Sequence, residues 1–180
     1  MEHIISDGFE NPQVEIKSYP SIRQLDFQAL HPRSVKAAYL SLLIGFMVLL
    51  LGYVIAYLLS ADFRSFFWYV LLGHFVVFGL LFYFVQSRYL AKGYAIRARD
   101  ISYRSGVFFK SLVVIPFSRV QHCEVDQGPI DRLFELSTLR IFTAGGASSD
   151  LSISGLEPEV ANHIKDFIIR RTLDRHGEEE

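Results

Sequence analysis

The chain has 180 residues, of which 51% are hydrophobic and 21% are charged, and its formal net charge is −1. So small a net charge creates no long-range field for polyanions, which excludes a strongly basic nucleic-acid-binding protein. The single cysteine, Cys123, excludes a disulfide framework within the chain and a zinc site built from cysteines. The hydrophobic residues are concentrated in about one third of the chain, so we expect two different environments.

The first segment, residues 1–32, shows no sustained hydrophobic period. Pro12, Pro20 and Pro32 would each interrupt a helix, because the residue before a proline disfavours helical backbone angles. We therefore predict an irregular cytoplasmic tail. Its composition allows two alternatives, which are simple disorder or a segment that lies along the following domain or the membrane surface.

Residues 33–90 are predicted to form a transmembrane hairpin of two helices. Its two apolar segments, about 37–60 and 65–87, contain no Asp, Glu, Lys or Arg. At about 1.5 Å per residue, each is long enough to cross the roughly 30 Å hydrocarbon core of a bilayer. The short link Ala61–Arg64 requires an antiparallel arrangement. Four glycines are interpreted as sites of close packing within the hairpin, with oligomerisation as the alternative: Gly45, Gly52, Gly73 and Gly79.

Basic residues flank the hairpin asymmetrically. They are frequent outside the two helices, whereas the link holds only Arg64 beside Asp62. The positive-inside rule then predicts that both chain ends lie in the cytoplasm, in a multi-pass membrane protein. Basic side chains near a bilayer also attract anionic headgroups, at about 1 kcal/mol each. One set is open to both interpretations, topology alone or lipid contact: Arg88, Lys92, Arg97, Arg99 and Arg104.

His74 is the one side chain within the two apolar segments that titrates near neutral pH. Ionisable residues inside a membrane are candidates for function. A haem with two histidine ligands would need a second histidine at similar depth, which only a homodimer would supply. We expect instead a hydrogen bond from His74 to a backbone carbonyl, to Tyr53 or to Tyr57 across the hairpin.

Residues 91–175 are predicted to form a small, mainly β domain with one C-terminal helix, followed by an acidic tail at 176–180. Alternating apolar residues predict strands over 93–104, interrupted at Arg99-Asp100 and closed by a turn at Ser105-Gly106. Further strands are predicted at 107–115, 120–126, 138–143 and around 151–153, with a helical turn at 130–136. From Pro158, an apolar stripe predicts a helix that covers the sheet: Leu156, Val160, Ile164, Phe167 and Ile168.

Two groups in this domain have the residue types of a binding site. His122, Glu124 and Asp126 share one face of a predicted strand and would suit a metal ion, although such a face is more often simply hydrated, with Cys123 facing the core. The run 144–147 would suit a phosphate, but it lacks the lysine of a P-loop and precedes no helix, which favours a plain turn. We predict no catalytic residue, no metal and no cofactor.

Three ordered motifs are similar to those of bacterial pleckstrin-homology-like membrane proteins of the YdbS type, over roughly Leu30 to Leu173. In one position the chain departs from that family, because Phe134-Glu135-Leu136 follows the Arg-Leu pair where a glycine is usual. The motif residues are Pro116, Arg119, Gln121 and His122, then Gln127, Gly128, Asp131 and Arg132, then Thr143, Gly145 and Gly146.

The resemblance implies a pleckstrin-homology-like barrel of about seven strands capped by a C-terminal helix, behind two transmembrane helices of a bacterial inner membrane. It implies a non-enzymatic binding or scaffold module in a membrane protein complex, with itself or a related pleckstrin-homology-like protein as partner. It also implies a role in cell-envelope maintenance or stress resistance. There are two alternatives to this functional hypothesis: a sensor that binds anionic membrane lipid, and an accessory subunit of a membrane enzyme or transporter.

Overall fold

Two long helices open the described part of the chain. The computed structural model describes residues 25–144 and 150–176, with side chains up to Thr172. Helix α1 spans Arg33–Leu59 and helix α2 spans Ala61–Leu90, and they run antiparallel side by side. Both are long and apolar enough to cross a membrane, and their apolar windows are almost entirely exposed. The sequence predicted this hairpin; the 1–32 tail is described only from residue 25.

The turn between the helices is tighter than predicted, because residues 61–64 form the first turn of α2 rather than a link. Only Ser60 lies between the helices, and its hydroxyl accepts a hydrogen bond from the Phe63 N–H at 3.3 Å. The Arg64 side chain donates to the carbonyl oxygens of Tyr57 at 3.0 Å and Leu58 at 3.4 Å. It thereby satisfies carbonyl groups that the end of α1 leaves unpaired.

Aromatic rings, rather than glycines, fill the space between α1 and α2. Phe46 is buried and lies 4.6 Å from the ring of His74 and 4.4 Å from that of Phe78, measured between centroids. The interpretation of the four glycines as packing sites within the hairpin is wrong. A Cβ atom added to any of them would meet nothing within 4 Å: Gly45, Gly52, Gly73 and Gly79.

The domain after the hairpin consists of two antiparallel three-stranded sheets and a C-terminal helix. One sheet has the order β1-β2-β3 and the other β4-β5-β6. The resemblance implied about seven strands, and the described residues form six. The bounds are β1 Gly93–Ile96, β2 Asp100–Ser105, β3 Ser111–Pro116, β4 Val120–Asp126, α3 Pro129–Leu133, β5 Ser137–Thr143, β6 Leu151–Leu156 and α4 Pro158–His176.

One core lies between the sheets and α4. Ile101, Leu139, Ile141, Ile153 and Ile168 are completely buried. Burial of each such side chain contributes about 1.5–3 kcal/mol, so this cluster is the main source of the domain's stability. The predicted stripe of α4 is confirmed, since its apolar residues are buried or packed against the cluster. Cys123 also packs there, and burial raises the pKa of its thiol to about 11.

Two strand ends differ from the prediction. β1 ends at Ile96 because the chain turns early, with the Arg97 N–H bonded to the Asp100 carbonyl at 2.9 Å. β3 begins at Ser111 instead of Val107, because a loop of residues 106–110 intervenes. Gly106 adopts φ +94°, and a Cβ there would lie 1.9 Å from the Phe109 carbonyl oxygen, so only glycine fits this loop.

Candidate functional site

The domain is attached to the end of the hairpin where α1 begins and α2 ends. Leu30, just before α1, is buried, and its carbonyl accepts a hydrogen bond from the Tyr89 hydroxyl at 2.7 Å. The next residue, His31, donates its N–H to the Gly155 carbonyl in β6 at 2.9 Å. Gly155 has φ +84°, and a Cβ there would lie 2.7 Å from the Cβ of Ser34. Glycine is therefore required for the close approach of β6 to α1.

An ion pair joins the same two parts of the molecule. Arg33 in α1 donates to the carboxylate of Glu135, which follows α3. Glu135 adopts φ +53°, the left-handed conformation that usually selects glycine after a helix. The turn after α3 therefore holds a left-handed residue that is not glycine. The side chain of Glu135 forms the ion pair with Arg33 of the hairpin, which a glycine could not form.

A cavity of about 680 Å³ lies at this junction. The wall that α1 and α2 contribute is mainly apolar, and α3, β6 and the end of α2 contribute polar groups beside apolar ones. Its two basic residues are Arg88 and Lys92. Other residues of the wall include Ser34, Ala38, Leu42, Leu81, Val85, Ile130, Asp131 and Ser154.

Arg88 and Lys92 have no carboxylate partner within the part of the chain that the structure describes. The one acid of the cavity wall, Asp131, accepts a hydrogen bond from the Gly128 N–H at 3.3 Å. Burial, and then the nearby charge of Arg88, lowers the pKa of Lys92. Two like charges at a partly buried wall favour an anionic ligand. The anion would offset both the desolvation of the two charges and their mutual repulsion.

The predicted basic set does not form one cluster. Arg97 pairs with Asp100 at 2.7 Å, and the guanidinium of Arg104 lies 4.7 Å from the ring centroid of Phe27. Arg99 is exposed in the turn between β1 and β2. The structure therefore brings only Arg88 and Lys92 to a common cavity.

Three of the family-motif residues make hydrogen bonds that close turns. Gln127 donates to the Leu136 carbonyl at 2.8 Å, so it closes the segment that contains α3. The Thr143 N–H donates to the Asp150 carboxylate at 2.8 Å, and the Arg119 carbonyl accepts from the Ala144 N–H at 3.1 Å. Of the remaining motif residues, Gly128 and Asp131 line the cavity, Pro116, Gln121, His122 and Arg132 are exposed, and Gly145 and Gly146 lie outside the described residues.

The two other candidate groups do not form the arrangements considered for them. The Nε2 atom of His74 is buried without a hydrogen-bond partner among the described residues, so the expected bond is wrong. Its ring packs on Phe46 and edge-on to Tyr53 instead. On the strand face, His122 stacks on Phe142, and Asp126 lies 3.0 Å from Arg140. Across the described ranges, no three metal-ligating side chains converge.

The comparison with known proteins agrees with this fold. A bacterial PH domain profile matches residues 31–172 of the chain. The chain belongs to the bacterial PH domain family. The chain is also similar to the UPF0699 transmembrane protein YdbS of Bacillus subtilis (strain 168), to which it is 33% identical over 90 residues. That match spans 50% of the chain and 55% of the relative's length. No solved structure matches the chain.

Sequence reasoning found Arg88 and Lys92 but missed most other residues of the cavity. Ser34 and Ser154 are small polar residues without any distinguishing pattern, and they meet only in the folded molecule. One signal was available at Gly155, where a glycine interrupts an otherwise alternating strand. A glycine in that context marks a close backbone approach.

Proposed function

We propose that this bacterial PH domain protein is a non-enzymatic, membrane-anchored binding module that works within a membrane protein complex. The observation that carries the proposal is the docking of the domain onto the hairpin by the His31 and Arg33 contacts. Leu30 adds to it, because it packs in the domain's core and accepts the hydrogen bond from Tyr89. Because the domain is held against the hairpin, a partner in the bilayer would bind the helices and a partner at the membrane surface would bind the domain of the same rigid unit. A role in cell-envelope maintenance or stress resistance is proposed from the family resemblance alone.

Two features support a protein partner, either a second copy or a related PH-like protein. β3 is an edge strand that pairs with β2 on one side and with no other strand of the described residues. Such an edge offers unpaired backbone groups for strand addition. On α1, the exposed Gly45 and Gly52 leave open space where another helix would approach closely.

Cysteine crosslinking in native membranes tests this partner. In a Cys123→Ser background, Ser111→Cys places a thiol on the β3 edge, and Ser118→Cys places an exposed thiol off the sheet as a matched control. We expect a bifunctional maleimide to trap one defined adduct from Ser111→Cys and little from Ser118→Cys. If both variants stay monomeric at native expression levels, the partner proposal is wrong.

We further propose that α1 and α2 span the bacterial plasma membrane with both chain ends in the cytoplasm. The start of α1 and the end of α2 both contact the domain, which is consistent with a single side, and basic residues are enriched there. In the Cys123→Ser background, an impermeant maleimide should label Ser60→Cys in intact cells and Ser111→Cys only after permeabilisation. The reverse pattern would exclude this orientation.

A second candidate function, the binding of anionic lipid, is favoured by the junction cavity. Its apolar wall continues the hairpin surface, and Arg88 and Lys92 lie where a phosphate group would meet them. Native mass spectrometry of the purified protein should show retained anionic phospholipid, and Arg88→Gln with Lys92→Gln should lose it. The exposed Arg99→Gln is the control. Equal retention in all variants would exclude the cavity as the lipid site.

The pH dependence of this binding offers an independent check. Since the pKa of Lys92 is lowered, its charge is lost at a lower pH than that of an exposed lysine. We expect lipid retention to weaken over that lower range as pH rises. Replacement of Lys92 by Arg, which stays charged, should move the loss to higher pH.

A further inference from the structure

The loop between β2 and β3, residues 106–110, carries two large apolar side chains that the domain does not cover. Phe108 is 75% exposed and Phe109 is 93% exposed, and Lys110 beside them is exposed as well. An aromatic side chain buries 150–250 Å² when it is covered, so exposure of two neighbours gives up a large hydrophobic contribution. Adjacent exposed apolar residues rimmed by polar ones mark a surface that meets a partner or a membrane.

Strand register places this loop at the hairpin side of the domain. β1 begins at Gly93, shortly after the end of α2 at Leu90, and runs away from the hairpin. β2 returns antiparallel to it, with Arg104 opposite Gly93. The loop that follows β2 is therefore brought back to the level at which the chain leaves α2, as an antiparallel pair requires.

A side-chain contact fixes the depth of the loop. The ring of Phe108 lies 5.4 Å from the ring of Phe84 in α2, in an edge-to-face arrangement. Phe84 precedes Leu90 by six residues, or about 9 Å along the helix axis. Phe108 thus lies beside the apolar surface of α2 and not beyond its end.

We propose that residues 106–110 insert into the bilayer leaflet on the domain's side, with Phe108 and Phe109 among the acyl chains near the headgroups. This rests on the proposed membrane anchoring of α2. The exposed Lys110 would keep its ammonium group at the headgroup level while its aliphatic stem covers apolar surface. The lipid surface is the occupant because Phe108 continues the exposed apolar face of α2 and the neighbouring Phe109 is almost fully exposed. The loop then attaches the domain to the membrane at a second point, which sets the domain's tilt.

Tryptophan fluorescence of the full-length protein in phosphatidylcholine vesicles tests this insertion. The single native tryptophan is removed by Trp68→Phe, and Phe109→Trp introduces a reporter at the loop. Because Phe109 is almost fully exposed, this substitution leaves the fold unchanged. The matched control is Ala98→Trp in the exposed β1–β2 turn, at the other end of β2, whose six residues span about 16 Å.

We expect a blue-shifted emission at position 109 and quenching by lipids brominated near the headgroup that is several-fold stronger than at position 98. Equal, weak quenching at both positions would overturn the proposal. So would a reporter at 109 that neither brominated lipid nor aqueous iodide quenches, because that result means a protein partner covers the loop. Resistance of each variant to alkaline extraction shows separately whether the hairpin itself is inserted.

Discussion

The junction cavity and the exposed face of β4 differ in how their charged side chains are paired. On β4, His122 lies 3.5 Å from Glu124, and Asp126 lies 3.0 Å from Arg140 of β5. In the junction cavity, Arg88 and Lys92 have no carboxylate partner in the described ranges, although Arg33 nearby is paired with Glu135. Charges that already have partners in water gain little from a ligand, whereas partly buried like charges gain much. An anionic ligand would therefore gain more from the junction cavity than from the exposed face of β4.

The largest effect should come from Gly155→Val, which attacks the junction directly. A valine would be strained at φ +84°, and its Cβ would collide with Ser34. We expect a loss of about 3 kcal/mol or more of domain stability, with loss of the docked arrangement. Thermal unfolding in detergent, followed by circular dichroism, measures it. Gly128→Ala is the control, because it meets only the Asp131 carboxylate at 3.3 Å, and an equal loss there would contradict the prediction.

Tyr89→Phe should have the next largest effect. It removes the hydroxyl that donates to the Leu30 carbonyl and leaves this buried residue's acceptor unpaired. The expected cost is about 1–2 kcal/mol, seen in unfolding and in faster hydrogen exchange at the start of α1. Tyr83→Phe, which changes an exposed hydroxyl, should cost almost nothing. If both variants behave alike, the Tyr89 bond does not hold the junction.

Glu135→Gly separates two small effects of opposite sign. Glycine removes the left-handed strain at φ +53°, which stabilises the domain by about 1 kcal/mol, but it also removes the exposed pair with Arg33. We expect equal or slightly higher stability of the domain in Glu135→Gly, and slightly lower stability in Arg33→Gln, which loses only the pair. A greater loss in Glu135→Gly than in Arg33→Gln would show that the ion pair outweighs the strain.

Arg140→Gln should have the smallest effect and completes the comparison from the β4 side. The side chains of Arg140 and Asp126 are both about half exposed, at 47% and 45%. Removal of such a surface pair changes stability by roughly 0.5 kcal/mol or less. Chemical denaturation of the variant should match the parent within that margin. A loss as large as that of Tyr89→Phe would mean that the two sides do not differ as described.

The sequence predicted those features that depend on local pattern. Uninterrupted apolar segments identified the hairpin, and the stripe from Val160 to Ile168 identified α4. The Ser60 turn was missed because the charged Asp62 and Arg64 were interpreted as part of a link, although serine is a favoured N-cap residue and an acidic residue suits the first turn of a helix. The start of β3 was missed because Val107 to Phe109 have high strand propensity, which the left-handed Gly106 overrides.

The site was predictable only in part, since it is assembled from distant segments. Arg88 and Lys92 were identified by charge next to an apolar helix, a purely local signal. Their neighbours in the cavity come from α1, α3 and β6, and no periodicity states which faces of separate elements meet. The same limit explains His74, whose expected hydrogen bond is replaced by rings of Phe46 and Tyr53 that only helix packing brings together.

The one-residue turn at Ser60 has a mechanical consequence. At one end of the hairpin, a single residue connects α1 and α2. At the other end, the hydrogen bond from Tyr89 to Leu30 joins the end of α2 to the segment before α1. A piston-like displacement of one helix past its neighbour would strain the covalent turn and break the Tyr89 hydrogen bond. We therefore expect the two helices to tilt together as one unit, so that a change in bilayer thickness would rotate the domain.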